Sequence, residues 1–148
     1  MNKWDQRCFN LANEAMSWSK DPDCKVGAVI VSPKARQFSM GYNGLPTGIP
    51  DCEEWLLDKG IKNKLTVHAE INAVMNAHCN VEGWVVYCTK APCVSCVTIL
   101  IQSGIVELNC PEPVTDSSWY DENIIAMDLL KLGHIRVRFV RDGLLMEY

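Results

Sequence analysis

Only three histidines occur in the 148 residues, His68, His78 and His134, so a metal site built on imidazole has few candidates. Positive charge is also scarce: 14 Lys and Arg stand against 18 Asp and Glu, a formal net charge of −4. Proteins that grip a nucleic-acid backbone usually carry a basic face. The balance therefore argues against a polymer substrate, while leaving room for a local basic pocket that takes one phosphate. Long apolar runs are missing. Stretches such as Val26–Val31 and Val97–Ile101 fall far short of the roughly 20 residues needed to cross a bilayer. Met1–Asn10 carries charged and polar residues where a secretory signal needs an apolar core. We expect no membrane association and a cytoplasmic location, or the host cytoplasm if the source is viral. Internal repeats, low-complexity stretches and linkers are absent too, so residues 1–148 read as a single domain.

What is present is an ordinary globular composition, 48% hydrophobic and 22% charged, with eight cysteines. An even cysteine count raises the question of disulfides, but without an export signal metal or redox chemistry is the better expectation for the close pair Cys93 and Cys96. The other six read as small buried hydrophobes. Trp4, Cys8, Leu11, Ala12 and Ala15 share one face of a helix over Lys3–Ser17. Strands are expected at Val26–Val31, Arg36–Tyr42, Trp84–Cys88, Ile105–Leu108 and Ile135–Val140. Helices are expected near Glu53–Lys59, His68–Ala77, Cys93–Gln102 and Asp121–Leu132. Strands alternating with helices imply an α/β architecture with the sheet covered on both faces.

Two motifs carry chemistry: His68-Ala69-Glu70 and Pro92-Cys93-Val94-Ser95-Cys96. Alone, each says little. An H-x-E triplet is common, and a lone C-x-x-C serves as a redox pair or as half of a structural zinc site. Neither His78 nor His134 has a cysteine at ligand spacing, apart from Cys79 beside His78, and a redox pair has no use for the His-Glu motif. Zinc takes imidazole nitrogen and thiolate sulfur, and three ligands leave a fourth position open for water, the arrangement of a catalytic site. Both motifs fall at expected helix starts, where positive partial charge favours thiolates. Glu70 lies two residues past His68, close enough to serve that water as a proton shuttle without binding the metal. Together the motifs match the signature of zinc-dependent nucleobase deaminases.

Beyond these motifs the chain resembles the cytidine and deoxycytidylate deaminase superfamily, and within it the deoxycytidylate branch. The resemblance runs through Ser19-Lys20-Asp21-Pro22, Lys25–Val31, Gly41-Tyr42-Asn43-Gly44-Leu45-Pro46, His68–Ala73 and Pro92–Cys96. The zinc motifs are common to the superfamily, whereas the G-Y-N-G-x-P loop looks like the deoxycytidylate branch. The resemblance implies a three-layer sandwich with a central five-stranded mixed sheet. It implies hydrolysis of deoxycytidine monophosphate (dCMP) to deoxyuridine monophosphate (dUMP) and ammonia. The triphosphate dCTP and the free nucleosides are competing substrates, and an inactive zinc-binding scaffold is the alternative from outside enzymology.

By resemblance His68, Cys93 and Cys96 hold zinc and Glu70 shuttles the proton. Asn43 touches the sugar or phosphate, and the Ala91 carbonyl accepts a hydrogen bond from the departing amino group. Trp119 or Tyr120 lies against the substrate. Lys25 is a candidate counter-charge for the phosphate. Gly41, Asn43 and Gly44 are candidates for an anion or effector, because glycine lets backbone N–H groups approach closely. The resemblance also implies a homo-oligomer, a homohexamer, and regulation by dCTP as activator and thymidine triphosphate (dTTP) as inhibitor, with Mg²⁺ on the triphosphate. Some viral relatives carry a second, structural zinc. Here Cys52 fits such a position, but Asp21 stands where another ligand is expected, so a second zinc is not expected.

Overall fold

In a computed structural model that describes residues 1–148, the expected alternation becomes six α-helices and one mixed sheet of six strands. The helices are α1 (Lys3–Ser17), α2 (Glu53–Leu57), α3 (Lys59–Leu65), α4 (Ala69–Asn76), α5 (Val94–Gln102) and α6 (Tyr120–Leu132). The strands are β1 (Gly27–Val31), β2 (Phe38–Tyr42), β3 (Val85–Cys88), β4 (Glu107–Pro111), β5 (Arg136–Arg141) and β6 (Leu144–Glu147). They lie in the order β2-β1-β3-β4-β5-β6. The β3–β4 and β4–β5 pairs are parallel and the others antiparallel. Each parallel step needs a crossover, which α5 and α6 supply.

The five residues of β1 are all buried, because both faces of the sheet are covered. Ala28 and Ile30 join the larger core with Ala69 and Ala73 of α4, Val97 and Leu100 of α5, and Met127 and Leu130 of α6. Val29 and Val31 point the other way, into a smaller core with Cys8, Phe9 and Ala12 of α1 and with Tyr87. The three layers are therefore α1, the sheet, and α4 with α5 and α6. Asn2 caps α1 through a reciprocal box with Asp5. No helix is long and apolar enough to cross a membrane.

Two elements depart from expectation. The sheet has six strands rather than five, because β5 turns back into β6 through Asp142 (φ 50°) and Gly143 (φ 74°), a left-handed pair suited to a tight hairpin. The single polar helix expected at Glu53–Lys59 is instead two. The first ends at Leu57, and Asp58 caps the second by accepting from the N–H groups of Gly60 and Ile61. All eight cysteines are unpaired. Cys8, Cys88 and Cys110 are the small buried hydrophobes expected, whereas Cys24 and Cys52 are half-buried and Cys79 is exposed.

Candidate metal centre and substrate cleft

Two helix starts define the centre. His68 is the N-cap residue of α4, and Cys93 holds the same place on α5, with Cys96 one turn in. Since α4 and α5 pack side by side on one face of the sheet, their N-termini meet at a point. The His68 Nδ1 atom lies 3.4 Å from Cys93 Sγ and 3.2 Å from Cys96 Sγ. The three donor atoms all lie within 4.8 Å of one another. Tetrahedral zinc with bonds near 2.0 and 2.3 Å sets nitrogen and sulfur about 3.6 Å apart, so the donor set and its spacing both fit that ion. The neighbouring Cys96 thiol, with His68, holds the Cys93 thiol down at about 4, while the closeness of Cys93 together with burial pushes Cys96 well up. The contact with Cys93 also raises His68 above the ordinary imidazole value.

Glu70, in the first turn of α4, is 4% exposed and has Oε2 3.5 Å from Cys96 Sγ. Burial raises its carboxyl above the usual range. A carboxyl held beside the ligand cluster, with its proton affinity raised, is suited to take and return a proton.

These groups open onto a cleft of about 400 Å³, the size range of small-molecule sites. Of the expected substrate residues, Asn43, Ala91 and Trp119 line it, and Lys25 and Tyr120 do not. Lys25 is exposed, and Tyr120 begins α6 just beyond the wall that Trp119 forms.

The Gly41–Pro46 loop is engaged otherwise than expected. Asn43 Oδ1 accepts from the Val26 N–H at 2.7 Å, and its amide nitrogen donates to the Cys24 carbonyl at 2.8 Å and to Asp21 at 3.4 Å. The Asn43 N–H bonds to Val26, and the Gly44 N–H to Val67. A Cβ on Gly41 would lie 2.3 Å from both the Ala69 carbonyl oxygen and the Ala73 nitrogen. Gly41 is therefore there for close packing of β2 on α4, and the loop amides at 43 and 44 have no free N–H for an anion. Asn43 ties the Asp21–Val26 segment to the cleft wall.

Other side chains in the cleft carry no sequence signal, or one that is easily passed over. Lys62, 3% exposed, pairs with Asp21 at 2.9 Å and with Asp23. Asp21 is thus committed to an ion pair, while Cys52 sits at the start of α2. Lys59 and Lys90 line the cleft without a carboxylate partner; Lys90 Nζ lies 3.4 Å from Cys24 Sγ. Asn123 projects from the buried face of α6 and donates to the Ala91 and Pro92 carbonyls. An asparagine among Ala126, Met127 and Leu130 on an apolar face was the one visible signal.

The fold and the His-Cys-Cys-Glu cluster define a zinc-dependent deaminase. Residues 2–111 match the family model for the cytidine and deoxycytidylate deaminase zinc-binding region, and the chain belongs to that family. It is 36% identical over 142 residues to an uncharacterized deaminase encoded in the luxG 3′ region of Aliivibrio fischeri, covering 95% of each chain. It is also 36% identical over 114 residues to the deoxycytidylate deaminase of Pongo abelii, covering 72% of this chain and 63% of that one. Among solved structures, the apo dCMP deaminase of cyanophage S-TIM5 has the same fold, with a TM-score of 0.72 and 23% identity over 93% of this chain and 98% of the other.

Proposed function

We propose that this chain hydrolyses the amino group of the cytosine ring in dCMP, giving dUMP and ammonia. The observation that carries the reading is Glu70 beside the His68, Cys93 and Cys96 donors, in a cleft that also holds two lysines without carboxylate partners. The relationship to an enzyme named deoxycytidylate deaminase supports the same substrate. His68, Cys93 and Cys96 would hold the zinc, which as a Lewis acid makes water a competent nucleophile at neutral pH. Glu70 takes a proton from the attacking water and delivers it to the ring nitrogen beside the reacting carbon. Glu70 then takes the remaining proton from the oxygen now bonded to the ring carbon and passes it to the amino group, so that the C–N bond breaks, the carbonyl forms and ammonia leaves. One carboxyl thus acts as base and then acid. Trp119 offers an aromatic wall for the ring. Lys90 and Lys59 replace Lys25 as the counter-charge for the phosphate, because they line the cleft and Lys25 does not. A committed Glu70 also weighs against a purely structural zinc scaffold.

We propose further that the protein is a homo-oligomer working in the cytoplasm, a hexamer by resemblance. An exposed Trp18 packed edge-on against Tyr42, together with exposed Met75, gives it apolar surface for a second copy. The effectors dCTP and dTTP, with Mg²⁺, rest on resemblance alone, and the backbone N–H groups at positions 43 and 44 already have partners within the chain.

The test is ammonia release from deoxycytidine, dCMP and dCTP by zinc-loaded protein, in wild type and Lys90→Gln. The phosphate should raise kcat/KM about a hundredfold over the nucleoside, since its binding energy positions the ring. Lys90→Gln should lower that advantage about tenfold, the effect of one charge-assisted hydrogen bond. Equal efficiency on the bare nucleoside would overturn the nucleotide assignment.

A further inference from the structure

Asn123 is 4% exposed and sits on the apolar face of α6. Its amide nitrogen donates to the Ala91 carbonyl at 3.3 Å and to the Pro92 carbonyl at 2.9 Å. Two carbonyl acceptors require the nitrogen at that end of the amide, so its orientation is decided by the network. The other end, Oδ1, meets no donor of the chain. It is not sealed in either: the side-chain atoms that are both buried and unpartnered are Asn109 Oδ1 and Arg138 Nε. Asn123 lines the cleft together with His68, Glu70 and Cys93. A nearly buried acceptor facing a binding cleft needs a donor from whatever enters it.

We propose that Asn123 Oδ1 accepts a hydrogen bond from the exocyclic amino group of the cytosine ring, and so separates substrate from product. The inference rests on the cytosine-nucleotide reading above. Deamination replaces an amino group, which donates, by a carbonyl oxygen, which only accepts. Oδ1 can only accept. Turning the amide over to greet the product would set Oδ1 against the Ala91 and Pro92 carbonyls and leave both without their donor. The product therefore loses one hydrogen bond and meets oxygen against oxygen, which favours its release. Because the backbone at Ala91 and Pro92 runs directly into Cys93, the same clamp holds the recognition group in register with the metal donors.

The discriminating quantity is the preference for dCMP over dUMP, which a purely structural role leaves alone. Asn123→Ala and Asn123→Ser are introduced into zinc-loaded Glu70→Gln, whose slow turnover permits equilibrium binding, and the dissociation constants of dCMP and dUMP are compared with those of Glu70→Gln alone. Serine retains one hydroxyl donor, enough for one of the two carbonyls, and lacks the amide oxygen, and it decides the question if the alanine variant does not fold. In both variants dCMP should bind about tenfold more weakly, while dUMP binds as well as before or better. Parallel weakening of dCMP and dUMP would reduce Asn123 to a backbone clamp and overturn the proposal. If zinc-loaded wild type does not deaminate dCMP at all, the parent reading fails, and this one with it.

Discussion

The two zinc-side motifs and the Gly41–Pro46 loop are equally conspicuous as sequence, yet they do different work. His68, Cys93, Cys96 and Glu70 present side-chain atoms to one point, from two helix starts whose positions follow from packing on the sheet. The loop spends its polar groups on the protein itself. Asn43 ties down Val26, Cys24 and Asp21; the Gly44 N–H goes to Val67; and Gly41 lets α4 press against β2. Ligand residues disclose their role through element type and spacing, since metal chemistry restricts both. A loop asparagine or glycine is equally apt for ligand and for backbone, and only the partners decide.

Four substitutions sharpen that contrast, from the largest effect to the smallest. Cys93→Ala should lose its zinc by metal analysis and fall to the background rate, because the site retains only two donors. Gly41→Ala should lower stability by about 1–3 kcal/mol through overpacking, seen in denaturant unfolding, with turnover reduced because α4 carries Glu70 and follows His68. A variant as stable as wild type would mean that β2 and α4 have slack. Asn43→Ala removes three hydrogen bonds and should cost about 1–3 kcal/mol. Its kinetic effect should fall alike on dCMP and deoxycytidine; a defect confined to dCMP would return Asn43 to the phosphate. Lys25→Ala, at an exposed position, should stay within about 0.5 kcal/mol of wild type and retain the full preference for dCMP, in contrast to Lys90→Gln.

Most of the architecture is legible in the sequence. The helices over Lys3–Ser17 and Cys93–Gln102 follow from apolar periodicity and caps, and the parallel strands from the helices between them. The sixth strand carries a mixed signal: Asp142-Gly143 is a strong hairpin turn, but the residues beyond it, Leu144–Glu147, are mostly exposed and make a weak strand pattern. Lys62 was not legible. A lysine between Ile61 and Asn63 in a polar helix reads as solvated, and only the fold brings Asp21 and Asp23 to it. Lys25 was the expected counter-charge for the phosphate, but its side chain stays outside the cleft while Lys90, far along the chain, lines it. Charge partners and pocket walls are set by long-range contacts, which local pattern does not encode.

The central claim is that Glu70 moves protons for a nucleophile prepared at the His68, Cys93 and Cys96 site. The most direct measurement is ammonia release from dCMP by zinc-loaded wild type beside zinc-loaded Glu70→Gln, with equal metal content verified in both. The account predicts turnover by the wild type and a loss of about a hundred- to ten-thousand-fold in the variant. Near-normal turnover by Glu70→Gln, or no ammonia from dCMP with the wild type, would contradict it.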